Sequence, residues 1–547
     1  MRNIFKTRSQ RSDIRSPLIE NNNNNNIQEN EQNAYEQAAT GFNNPVAQDA
    51  FNIQEEQSLR SEGPISLPDL AELLCVAPDV NTASDRSCCS MGPEPNSRQQ
   101  SIVGLIQRSV HQHIPEPPAD VDTELQQHLL NVQESVCKEL VKLGPLLESR
   151  GLMGLLIDCY HRETFRHLNG LLQNISSSQN SFVLMKWVLH TYLSPELLSH
   201  PDLQKMDLMK KVDFLLFTEW VEKAKAKLLE NVQEEVRGQL DIIMHIKRGD
   251  EADDELHVDT IQCIEAMPTE ALKISPKLSD HVQKFCLQEL FWFLERYTDK
   301  QAEILEKMAK MDKPEMKHFF QTLNNCKKLK LHVLTKAKGN LLNETVFKLE
   351  NMEAFTLKLL MEIVADIAES HLKKYFRSEN KEFFFLVDAV KGHFSELSHF
   401  QEIQKSVMDE VYKLIAHSYL KHLIQRSQRK LERGWSRDVG KQVWDDATLL
   451  HDIISNIVPG VRQWNTMLLE IKELVDCKSL DMLELTVGKM YKECPTWSED
   501  LELLPSLLRW NGLYRWQVTE VLKVLEVLDG YEPRPRSASW YSCLPCC

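Results

Sequence analysis

The sequence predicts an all-α chain, an elongated rod of stacked antiparallel helical bundles with a disordered N-terminal arm, and three observations carry that prediction. Glycine and proline are unevenly distributed: residues 1–120 hold 10 of the 22 prolines, leaving 12 prolines and 14 of the 18 glycines for the other 427 residues. Glycine there is about 3% against a usual ~7%, so turns are few and elements are long. Apolar residues recur at spacings of three and four, the period of one helix face. No segment shows strand alternation, and the turn that a sandwich or barrel needs about every 8 to 12 residues is missing.

The elements follow in order. Residues 1–120 contain the run Asn21 to Asn26, repeated Gln and Glu, and most of their proline beyond position 44. A segment this polar buries too little apolar surface to offset the entropy of ordering it, so it reads as a disordered arm. Its first 15 residues carry five basic groups and one acid, whereas 16–120 carry four basic and fifteen acidic residues: a basic tip on an acidic tether. Leu125, Leu129, Val132, Val136, Leu140 and Leu143 then share one helix face until Gly144-Pro145 breaks it. Helices are expected next at about 146–173, 182–193 and from near Asp202 to 243, the last with Leu229, Val232, Val236, Leu240 and Ile243 as its stripe. Further helices fall at about 255–267, 277–311, 315–338, 341–376, 381–432, 439–457, 461–475, 478–492 and 498–510. A final stripe, Val518, Val521, Leu525 and Leu528, is stopped by Gly530 and Pro533.

Single cores rarely exceed about 250 to 300 residues, so the helices should divide into bundles. The expected units are 121–250, with a long helix, 251–380 and 381–530, followed by a Cys-rich tail at 531–547. The acidic loop Asp250 to Asp259 and the breaks near Pro314, Gly339 and Gly434 are the joints.

Composition also limits function. A net charge of −16 argues against a nucleic-acid binder, which needs a basic balance to displace counterions from phosphate. Thirteen scattered cysteines and a charged Met1 to Arg15 with no apolar core segment suggest a cytosolic protein with reduced thiols. No run approaches the ~18 apolar residues of a membrane span.

Catalytic patterns are incomplete. Asp253-Asp254 and Asp445-Asp446 begin the Asp-Asp-x-x-Asp spacing that holds magnesium, but His257 and Leu449 stand where the third carboxylate belongs. They read as a solvated loop and an ordinary helix face. The loop at Asp250 fails as a calcium site because Ala252 takes a ligand position. None of the pairs His111 and His113, His161 and His167, His393 and His399, or His417 and His422 has the i, i+4 spacing that zinc wants on a helix. Cys543-Leu544-Pro545-Cys546 matches Cys-x-x-Cys without a strand and helix around it, so no redox role follows. No catalytic residue, metal or cofactor is expected.

Membrane and partner features are stronger. Arg2, Lys6, Arg8, Arg11 and Arg15 form a compact lipid-binding candidate, each worth on the order of 1 kcal/mol near an anionic leaflet; the alternative is a tail of ordinary charge. Cys543, Cys546 and Cys547, behind Trp540 and Tyr541, lack a prenylation pattern but are acylation candidates, with unmodified exposed cysteines as the alternative. Arg534 and Arg536 precede Ser537 and Ser539 by three residues each, a weak phosphorylation pattern beside that tail.

Two internal runs are basic. Lys327, Lys328, Lys330, Lys336 and Lys338 have no acid between them. Residues 421–441 hold seven basic and two acidic residues, and Lys421, Arg429, Arg433, Arg437 and Lys441 align as a candidate partner patch if one helix continues through Gly434. A solvated face, or an intramolecular partner for the acidic tether, is the preferred reading over lipid or GTPase binding.

Several stretches resemble the exocyst complex component 3 family, most closely its relative tumour necrosis factor alpha-induced protein 2 and the exocyst component 3-like proteins. They are 180–193 (NSFVLMKWVLHTYL), 200–203 (HPDL), 219–222 (EWVE) with the long helix to Met244, 273–278 (KISPKL), 393–397 (HFSEL), 419–423 (YLKHL) and the last helix pair, 480–528. The resemblance covers about 124–530 and consists of diffuse helical signatures. It implies a rod of helical bundles that tethers secretory vesicles at the plasma membrane, with exocyst subunits, SNARE proteins, a Ral-type small GTPase and anionic phospholipid membrane as partners. It also implies membrane remodelling and phosphoinositide binding by a basic N-terminal segment, a role that only Arg2, Lys6, Arg8, Arg11 and Arg15 can receive. The acidic region 16–120 and the Cys-rich tail depart from the family. The expected function is therefore a non-enzymatic exocytosis adaptor, cytoplasmic and peripheral at the plasma membrane. The alternative is a soluble cytosolic helical scaffold without membrane contact.

Overall fold

The computed structural model describes residues 95–192, 213–245, 256–336, 339–377, 382–395, 397, 400–435, 438–477, 479–493 and 502–527. Their regular structure is helical throughout, as the sequence predicts, with no strand among the described residues. The chain divides into two compact units, 1–112 and 113–547.

In the first unit the described residues are 95–112, all within α1 (Pro95–His113), a helix inside the stretch expected to lack structure. Ile102, Leu105, Ile106 and Val110 lie at helical spacing, and Ile106 and Val110 are buried. Averaging composition over 120 residues hid that stripe.

The second unit begins with α2 (Val121–Glu148), whose N-cap Asp120 accepts from the amides of Asp122 and Thr123. All six residues of the predicted stripe are buried. Gly144-Pro145 does not end the helix, contrary to expectation. Pro145 forfeits one hydrogen bond, but Leu143 and Leu147 on either side are both buried and keep the turn in register. Next come α3 (Met153–Asn174) and α4 (Ser178–Lys186), which widens into a π-helical turn, Trp187–Thr191, closed by the Tyr192 amide on the Trp187 carbonyl at 2.9 Å. Phe165 gathers Tyr192, Phe217 and Trp220 edge-on, joining α3 to the end of α4 and to α5 (Phe214–His245).

The middle of the unit is built from α6 (Leu256–Leu272), α7 (Pro276–Ala309), α8 (Met316–Lys336) and α9 (Asn340–Tyr375). Ser275 caps α7, with Pro276 in the first turn, where its missing N–H costs nothing. Helix α7 packs on α5, α6 and α9, and α8 packs on α6, α7 and α9, so packing is continuous from one helix to the next. Buried Glu289 on α7 accepts two bonds from Arg237 on α5, at 2.9 and 3.0 Å, and one from Gln233 at 2.6 Å.

The single helix expected at 381–432 is three: α10 (Glu382–Phe394), α11 (Gln401–Ile424) and α12 (Gln428–Gly434). The first break has a cause in packing. Phe394 and Phe400 both turn inward onto Phe320, and Gln404 donates to the Phe394 carbonyl at 2.8 Å, so the chain bends around one buried ring. Beyond lie α13 (Val439–Ile457), α14 (Thr466–Leu469), α15 (Ile471–Asp476), α16 (Leu480–Glu493), α17 (Leu504–Trp510) and α18 (Arg515–Val527). A Cβ on Gly440 would stand 3.1 Å from Lys472 Cα, so glycine is what lets α13 approach α15. Among the described residues no helix is long and apolar enough to cross a membrane.

Candidate functional site

Helix α11 runs into a short turn at Gln425–Ser427, and the chain restarts at Ser427, whose carbonyl accepts from the amides of Lys430 and Leu431. The resulting α12 is held by two side chains. Leu431 is its buried residue. Trp435, which caps its C-terminus, lies 4.7 Å from the Tyr375 ring and 5.0 Å from Phe376, and its indole N–H donates to the Tyr375 carbonyl at 3.3 Å. Asp438 then caps α13 by accepting from the Lys441 amide at 2.8 Å.

This corrects the expected patch. The helix does not continue through Gly434, so Lys421, Arg429, Arg433 and Lys441 are displayed from α11, α12 and α13 and not along one helix. Arg437 lies outside the described residues. Lys421, Arg429, Lys430, Arg433 and Lys441 are exposed, and none has an ion-pair partner among the described residues. The Arg433 Nε donates to the Arg429 carbonyl at 3.2 Å, which leaves the rest of its guanidinium outward. Glu369 on α9 is held by His422, near the end of α11, at 2.7 Å.

The same corner is extended by α17. The Trp510 indole donates to the Arg426 carbonyl at 2.7 Å, joining α17 to the α11–α12 turn. After Trp510 the chain turns at Gly512 (φ 95), a left-handed conformation that favours glycine, and α18 begins at Arg515.

Beneath the corner is a buried polar centre that the sequence did not reveal. Asp446, read there as part of an ordinary helix face, is buried and accepts from Tyr375 at 2.5 Å, Tyr419 at 2.6 Å and Gln442 at 3.0 Å. Burial lifts its carboxyl to about 6, although all three hydrogen bonds pull the other way. Burial, reinforced by Asp446, pushes the Tyr375 and Tyr419 phenols well above their usual range. The only signal for this site was the Asp445-Asp446 pair, and its chemistry depends on tyrosines 71 and 27 residues away.

The lysines of α8 are arranged differently. Lys327 pairs with Glu402 on α11 at 3.0 Å, Lys330 with Glu353 on α9 at 2.5 Å, and Lys336 with Glu265 on α6 at 2.8 Å. They tie α8 to three neighbours. Lys338 lies outside the described residues, as do Arg2, Lys6, Arg8, Arg11, Arg15, Cys543, Cys546 and Cys547.

A histidine pair went unnoticed in the sequence. His128 on α2 and His167 on α3 meet Nε2 to Nε2 at 2.7 Å, 39 residues apart. Among the described residues no group of three His, Cys, Asp or Glu side chains could hold a metal ion.

No protein-family model matches the chain, and no curated protein does. Among solved structures, the crystal structure of M-Sec superimposes with a TM-score of 0.59 at 16% sequence identity, covering 82% of this chain and 81% of that one. At that identity what the two share is the fold, a helical scaffold over most of both lengths.

Proposed function

We propose that the chain is a non-enzymatic adaptor of the exocyst component 3 type, cytoplasmic and peripheral at the plasma membrane, that helps tether vesicles there. Its partners are exocyst subunits, SNARE proteins and a Ral-type small GTPase. The basic tip (Arg2, Lys6, Arg8, Arg11 and Arg15) contacts anionic phospholipid and phosphoinositides, acylation at Cys543, Cys546 or Cys547 adds a second hold, and remodelling of the bound membrane follows from both. The fold shared with M-Sec and the resemblance read from the sequence support this reading. The observation that carries it is the corner formed by Lys421, Arg429, Arg433 and Lys441, four exposed basic residues with no ion-pair partner among the described residues, on a chain whose net charge is −16. Such a patch fits an acidic protein surface, for which charge complementarity sets register and on-rate.

The test is capture of the full chain by an immobilised Ral-type GTPase in its GTP-bound form and by purified exocyst subunits. Changing Arg429→Glu and Arg433→Glu together should weaken capture by about tenfold or more, with an unchanged melting temperature and a steep dependence on salt. Capture that survives the reversal, or fails with the wild-type chain, overturns the assignment. Flotation with phosphoinositide vesicles tests the membrane part: binding unaltered by neutralising the five N-terminal basic residues and the three cysteines would leave a scaffold without this membrane mechanism.

A further inference from the structure

The turn between α17 and α18 carries a feature that the adaptor reading does not use. Tyr514 is 72% exposed and Trp516 64% exposed, two residues apart at the start of α18. The Tyr514 amide donates to Gln517 Oε1 at 2.9 Å, which fixes the first turn of the helix and with it both aromatic positions. Arginines flank them. Arg509 donates to the Pro505 carbonyl and the Ser506 hydroxyl, and neither it nor Arg515 has a carboxylate partner among the described residues. The Trp510 bond to the Arg426 carbonyl ties α17 to the turn that precedes Arg429 and Lys430.

From this arrangement we infer that the α17–α18 turn is a membrane-interface anchor, with Tyr514 and Trp516 seated among the headgroups of an anionic leaflet and Arg509 and Arg515 on its phosphates. Two features select a lipid surface over a protein groove. Tyrosine and tryptophan each join an apolar ring to a polar tip, the combination favoured at the boundary between acyl chains and water. Arg509 and Arg515, which flank the aromatic pair, have no carboxylate partner among the described residues, and an anionic leaflet attracts each such group with on the order of 1 kcal/mol. The inference goes beyond the adaptor reading, which places lipid contact at the N-terminal tip and the tail. It also links the turn to the neighbouring basic corner, since a membrane-bound GTPase and the leaflet would be engaged together, and linked weak contacts multiply.

The experiment uses the full chain, unacylated, with Arg2, Lys6, Arg8, Arg11 and Arg15 changed to Gln so that the basic tip does not mask the turn. Sedimentation is compared between phosphatidylcholine vesicles and vesicles containing about a third phosphatidylserine. The parent should bind the anionic vesicles and lose about tenfold in binding in Tyr514→Ser/Trp516→Ser, and again in Arg509→Gln/Arg515→Gln. Brominated acyl chains should quench tryptophan fluorescence in the parent and measurably less in Trp516→Phe. All four positions are exposed, so unchanged melting temperatures are expected and are checked. Equal binding to both vesicle types, full binding by the aromatic double variant, or undiminished quenching in Trp516→Phe overturns the anchor. If vesicles are ignored while GTPase capture persists, the anchor fails and the adaptor reading stands. If vesicles bind and capture fails, the reverse holds.

Discussion

Helix α8 and the corner at α12 present the same pattern in the sequence, a run of basic residues with few acids between them, and they have opposite fates. On α8, Lys327, Lys330 and Lys336 each find a glutamate on a different neighbouring helix. On α12, Arg429, Lys430 and Arg433 find none among the described residues. The difference lies in how many neighbours each helix has. Helix α8 packs on α6, α7, α9 and α11, so carboxylates from several directions reach its flanks. Helix α12 packs on α13, buries only Leu431 and leans on Trp435, so most of its circumference meets solvent. A run of like charge therefore reports a binding surface only where the fold leaves it without partners.

The strongest way to break the comparison is to remove what holds α12 in place. Asp446→Ala leaves the Tyr375 and Tyr419 hydroxyls buried without their shared acceptor, and each such loss costs about 1 to 3 kcal/mol, so about 3 kcal/mol in all is expected from urea unfolding. Because Trp435 rests on Tyr375, amide exchange should rise in 428–441 and not in α8. Asp446→Asn separates charge from shape. The folded carboxyl titrates at about 6, above its ordinary 3.8, so the stability linked to its proton is fully present below about pH 4 and is lost as pH rises through 6. The stability difference between Asp446→Asn and wild type should therefore shift in the variant's favour from pH 4 to pH 7. A difference that does not move with pH would mean that burial does not raise this carboxyl.

A smaller effect separates the two basic regions directly. Lys330 and Glu353 are 22% and 24% exposed at 2.5 Å, so Lys330→Gln should cost about 1 kcal/mol, the upper end for ion pairs near a surface. Arg433→Gln, with no carboxylate to lose, should fall within about 0.5 kcal/mol of wild type. Chemical denaturation of the two variants measures both. Equal costs would show that the corner has a carboxylate partner and would remove its claim to be a binding surface.

Much of the scaffold was legible because helix periodicity is local. Leu125 through Leu143, Leu229 through Ile243, and Val518 through Leu525 could be placed on buried faces from spacing alone, and they are buried. Breaks were less legible, since they depend on residues distant in sequence: Phe320 bends the chain at Phe400, and buried Leu147 carries α2 past Pro145. Of the site, the basic residues of 421–441 were visible and their arrangement was not. Gly434 gives no hint that Trp435 will turn inward onto Tyr375, 60 residues earlier, and end the helix. Asp446 was hidden for the same reason, because its partners arrive from α9 and α11.

The smallest effect concerns basic groups that carry no charge at neutral pH. Burial lowers the His128 imidazole below its ordinary value and takes His167 down to about 4, where the neighbouring His128 ring also disfavours a proton on His167. A lowered folded value means that the neutral pair contributes stability above about 6.5 and loses it as pH falls through 4, the opposite sign to Asp446. One proton is tolerated, since a protonated ring can donate to a neutral partner across 2.7 Å; a second places two cations in contact. Between pH 7 and pH 5, amide protection in α2 and α3, corrected for intrinsic exchange, should therefore decline slightly while α11 and α13 hold or gain. That outcome would extend the contrast between α8 and α12 to a third case, in which a basic pair is accommodated internally by giving up its charge and not by finding a carboxylate. Equal decline in all four helices would mean that the pair does not set the acid response of its own region.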